Sequence, residues 1–69
     1  VTYTEIIAKG LAVDLATATT IQNFVNCWFD YFCWSNSSEK QIIKTAKEAY
    51  AMIQNPEYAG MLKIAEANA

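Results

Sequence analysis

Residues 23–38, NFVNCWFDYFCWSNSS, hold six large aromatic side chains: Phe24, Trp28, Phe29, Tyr31, Phe32 and Trp34. Both cysteines of the chain, Cys27 and Cys33, lie among them. Each aromatic brings about 150–250 Å² of surface that must be hidden or used. A chain of 69 residues buries only about 60% of the surface its unfolded form exposes. This stretch therefore decides how everything else can pack.

Read as a helix, the stretch puts Ile21, Phe24, Val25, Trp28 and Phe32 on one core stripe, with Cys27, Tyr31 and Trp34 on a second stripe beside it. Phe29 widens the other edge, and a wedge of Gln22, Asn23, Asn26 and Asp30, with Cys33 inside it, stays polar. At about 100° per residue the apolar arc spans about 220°, far wider than the ~100° stripe of a surface helix. As a strand, the same residues would put Trp28, Asp30, Phe32 and Trp34 on one face, which no single environment suits. A helix over 20–34 is predicted.

Capping signals place the other elements. Thr2 and Glu5, Thr19 and Gln22, and Ser38 and Gln41 each have the Thr/Ser-x-x-Glu/Gln spacing that starts helices. Asn55-Pro56 combines a cap with proline at the first helical position. Helices are expected over 3–16, 20–34, 39–54 and 56–67. Residues 1–7 are rich in strand formers, so a short N-terminal strand is the alternative there. In the third helix, Ile42, Ile43, Ala46, Ala49, Tyr50 and Ile53 share one arc, while Lys40, Lys44 and Lys47 face away. The predicted fold is a single all-α domain over 1–69, three or four helices packed around a central aromatic-rich helix at 20–34.

Charge narrows the function classes. The net charge is −2, all five basic residues are lysines, and there is neither arginine nor histidine. Arginine is the usual bidentate reader of phosphate and guanine, and histidine is the commonest general base and metal ligand. The acids are scattered singly, Gly10 and Gly60 form no phosphate loop, and no Ser, Cys or Thr has a visible base. No enzyme, cofactor or metal site is expected. On one helix Cys27 and Cys33 would sit about 9 Å apart along the axis and point in different directions. They are expected as reduced thiols, which suits the cytoplasm, or a host cell's cytoplasm for a virus-encoded chain. No basic segment precedes an apolar core near the N-terminus, so no signal peptide is expected. The longest uncharged apolar run, between Asp14 and Asp30, falls short of the ~20 residues of a membrane span.

The resulting expectation is a small non-catalytic protein-binding module: a regulator, inhibitor or assembly subunit of the kind viruses and mobile elements often encode. It would act through Cys27, Tyr31 and Trp34, with another copy of itself as first partner in a homodimer. The alternative is a helix-turn-helix DNA binder using Lys40, Gln41, Lys44 and Lys47, because such residues near the start of a helix can enter the major groove. Peripheral membrane attachment through Trp28 and Trp34 lacks the Lys/Arg-rich polar face such helices carry.

Overall fold

A computed structural model describes residues 2–69 as four α-helices: α1 (Tyr3–Leu11), α2 (Leu15–Trp28), α3 (Glu39–Gln54) and α4 (Ala59–Ala67). One-turn 3₁₀ helices at Trp34–Asn36 and Pro56–Tyr58 precede α3 and α4. The architecture is all-α, with no strand among the described residues, and Tyr3–Ile7 is helical rather than extended; Val1 lies outside the described residues. α2 touches each of the other three helices, and α1 also packs on α3. The radius of gyration is 11.0 Å, matching the ~11 Å of a folded domain this long.

Three of the four expected caps form. The Glu5 amide donates to Thr2 Oγ1 at 3.2 Å, the Gln41 amide to Ser38 Oγ at 3.3 Å, and the Glu57 amide to Asn55 Oδ1 at 3.0 Å. The fourth does not. α2 starts five residues earlier than expected, where Asp14 Oδ1 accepts from the Thr17 amide at 2.8 Å. Thr17, through its hydroxyl first and its amide second, holds the Asp14 carboxyl below its usual 3.8. Thr19 and Thr20 sit inside the helix, their hydroxyls bonded back to the Leu15 and Ala16 carbonyls at 2.8 and 3.1 Å. α1 correspondingly stops at Leu11 instead of 16: Ala12 is left-handed, at φ 55° and ψ 46°, and the Val13 amide closes on Ala8 O at 3.0 Å.

The core is built on a few large side chains and many small ones. Ile7 of α1, Ile21, Phe24 and Val25 of α2 and Ile42 of α3 are fully buried. Ala18, Ala46, Ala49 and Ala65 fill the remaining interior and let the helix axes approach closely. α1 and α3 approach closely at Gly10, where a Cβ would come within 2.6 Å of Ile43 Cγ1. Thr45 is the one buried polar residue among those described, and its hydroxyl accepts from Gln41 Nε2 at 3.4 Å. No helix is long and apolar enough to cross a membrane among the described residues.

Candidate functional site

The aromatic segment is two structures rather than one rod over 20–34. α2 ends at Trp28, and Phe29 leaves the helix at φ −107° and ψ 62°. Asp30 and Tyr31 form a turn closed by the Phe32 amide on Phe29 O at 2.9 Å. The physical reason is burial. Phe29, Phe32 and Trp34 all pack toward the interior in the folded-back chain, which a continuing helix could not achieve because it would splay them around its axis. Asp30 at the centre of the turn is a residue that turns favour.

Two contacts hold the returning chain in place. Trp34 Nε1 donates to Asn26 Oδ1 at 2.7 Å. The Trp34 ring packs on Tyr3 of α1 at 5.2 Å and edge-on against Phe32 at 4.8 Å. The polar wedge expected to face water thus supplies acceptors instead, Asn26 for Trp34 and Gln22 for the Thr4 hydroxyl.

The expected stripe of Cys27, Tyr31 and Trp34 is not a helical face, because the helix ends before two of its members. Cys27 is half-buried beside the α2–α4 cleft lined by Asn23, Asn26 and Asn68. Trp34 is half-buried and committed to Asn26 and Tyr3. Tyr31 alone of the three is open to solvent, 82% exposed. Trp28, expected in the core, is instead 38% exposed; it lies across the start of α4, its indole donating to Met61 O at 3.0 Å. Trp28 falls on the core stripe by periodicity, but it is the last residue of its helix and stays partly open to solvent.

Tyr31 is exposed but rests on one other ring. It stacks on Phe29 at 5.8 Å and 27°, and Phe29 meets the buried Phe24 edge-on at 6.4 Å. Three rings therefore run from the centre of the domain to its surface. Asp30 beside it is exposed. Cys33, also exposed, has its thiol held below the usual range by a 3.4 Å contact with the Ser35 hydroxyl and by the Asn36 amide. Both cysteines are free thiols.

Lys40, Gln41, Lys44 and Lys47 are all exposed on α3, as the DNA-binding alternative requires. The approach to that helix differs from a helix-turn-helix: residues 29–38 separate α2 from α3, where the motif has a turn of about 3–4 residues. Of the two short connections, residues 12–14 lead into α2, which carries no lysine, and residues 55–58 lead into α4, which carries one, Lys63. No protein-family model, curated protein or solved structure matches the chain.

Proposed function

We propose that this chain is a small non-catalytic protein-binding module whose anchor is the turn at Phe29–Phe32, with Tyr31 as the central contact and Trp28 beside it. The observation that carries this reading is the ring ladder Phe24–Phe29–Tyr31, which ends in an aromatic that is 82% exposed. Tyrosine and tryptophan are the residues most enriched among interface hot spots. A second copy of the chain is the first partner, and a cytoplasmic regulator, inhibitor or assembly subunit is the role that fits a binding module of this size.

Sedimentation of the wild type and Tyr31→Ser tests the proposal. The wild type should self-associate as its concentration rises, and Tyr31→Ser should stay monomeric with an unchanged far-ultraviolet circular dichroism spectrum. A wild type that remains monomeric at its solubility limit removes self-association. A partner captured equally by both forms removes the docking role of the turn.

A further inference from the structure

The cleft between α2 and α4 has a volume of about 390 Å³. α2 contributes Asn23, Asn26 and Cys27, whose spacing of three and four residues sets them on one helical face. α4 and the two residues after it contribute Ala65, Asn68 and Ala69. Three of the chain's five asparagines therefore line one cleft, and no charged side chain does. Its apolar part is the buried Ala65 with the half-buried Cys27. None of its lining residues belongs to the Phe29–Phe32 turn.

Two of these amides have their polarity fixed by bonds they already make. An indole N–H only donates, so the 2.7 Å bond from Trp34 Nε1 commits Asn26 Oδ1 and leaves Asn26 Nδ2 to donate elsewhere. A backbone carbonyl only accepts, so the 2.9 Å bond to Ile64 O commits Asn68 Nδ2 and leaves Asn68 Oδ1 to accept. The cleft thus carries a donor on its α2 wall and an acceptor at the end of α4, with no charge on either. The complement is an amide, which brings one carbonyl, at least one N–H and no charge. A carboxylate has no proton for Asn68 Oδ1, and an ammonium has no acceptor for Asn26 Nδ2. Either ion would also give up hydration without meeting a countercharge.

From this we infer that the α2–α4 cleft is a binding site for an uncharged, amide-bearing ligand. The ligand carbonyl accepts from Asn26 Nδ2, its N–H donates to Asn68 Oδ1, and a small apolar body rests on Ala65 and Cys27. A free small-molecule amide and an extended peptide segment carry the same group. The site is separate from the aromatic turn, so it stands or falls independently of the docking role of Tyr31.

Titration with benzamide, benzoate and N-acetylalanine methylamide, followed by the backbone and side-chain amide resonances in nuclear magnetic resonance, tests it. The two amides should shift the Asn68 side chain and the backbone amides of residues 23–27 saturably, and benzoate should not. Asn26→Asp keeps an acceptor for the Trp34 indole and removes the donor. It should retain the wild-type circular dichroism spectrum and bind benzamide about fivefold more weakly. Tighter binding of the peptide amide assigns the site to a peptide segment, and tighter binding of benzamide to a free small molecule. Benzoate bound as tightly as benzamide, a folded Asn26→Asp with wild-type affinity, or no saturable shift in the cleft with either amide would each overturn the site. The comparison of benzamide with benzoate needs no variant, so the test holds whatever Asn26→Asp does to folding.

Discussion

The two halves of the aromatic segment have similar composition and opposite fates. Residues 23–28 continue α2, with Phe24 and Val25 fully buried. Residues 29–34 reverse direction and are held by one ring-to-core contact, one ring cluster and one indole hydrogen bond. The helical half is fixed by the backbone ladder and the interior together, the returning half mainly by side chains, with one backbone bond closing its turn. The difference shows how a very small domain can carry so many aromatics. Doubling the segment back lets Phe29, Phe32 and Trp34 cover the existing core, and only Tyr31 and Trp28 are left as exposed large aromatics.

The comparison breaks most severely at Phe24. Truncation to alanine in a fully buried site should cost about 3–5 kcal/mol, most of the ~3–10 kcal/mol available to a domain this long. Phe24→Ala should therefore lose its cooperative thermal transition. The clamp on the returning half is worth far less. Trp34→Phe and Asn26→Ala should each lower stability by about 0.5–1 kcal/mol in urea melts. The double variant should cost little more than either alone, because both remove the same bond.

The start of α2 offers a pH test. Folding holds the Asp14 carboxyl below its usual 3.8, so the cap contributes above that value and fades as pH falls through the lower folded one. Asp14→Asn keeps a capping oxygen that does not titrate. The wild type should hold its margin over Asp14→Asn at pH 6 and lose it at the acid end of the melting series. The two thiols sharpen the comparison chemically. Cys33 is exposed on the returning half, with its thiol acidified by Ser35 and Asn36, while Cys27 is half-buried on the helical half. A disulfide exchange reagent at neutral pH should modify Cys33 first, and Cys33→Ser should remove that fast phase. The smallest effect on folding belongs to the site itself. Tyr31→Ser should change stability by less than about 0.5 kcal/mol, which is what makes it a clean probe of docking.

Much of this fold is legible in the sequence, and the exceptions share a cause. α3 is legible to the residue because its cap at Ser38 and its apolar arc agree. The caps at Thr2 and Asn55 are equally plain. α2 is misread at both ends because neither boundary uses glycine or proline. Ala12 adopts the left-handed conformation without being glycine, so the break between α1 and α2 is silent, and the Thr19–Gln22 spacing imitates a start that Asp14 already supplies. At the other end, Asp30 is the lone turn-favouring residue between Trp28 and Tyr31, and tertiary burial of Phe29 and Trp34 decides the reversal. Tyr31 could be named from its residue type, but its isolation from Cys27 and Trp34 depends on that reversal. The indole acceptors Asn26 and Met61 O have no sequence signal at all.

The account depends on the chain turning back at Phe29–Phe32, and backbone chemical shifts read with ring-to-ring contacts by nuclear magnetic resonance test this most directly. Helical Cα shifts should end at Trp28, show at most the single turn at Trp34–Asn36, and resume in full near Glu39, with Trp34 ring protons close to those of Tyr3. Unbroken helical shifts through Trp34, with no contact between Trp34 and Tyr3, would contradict it.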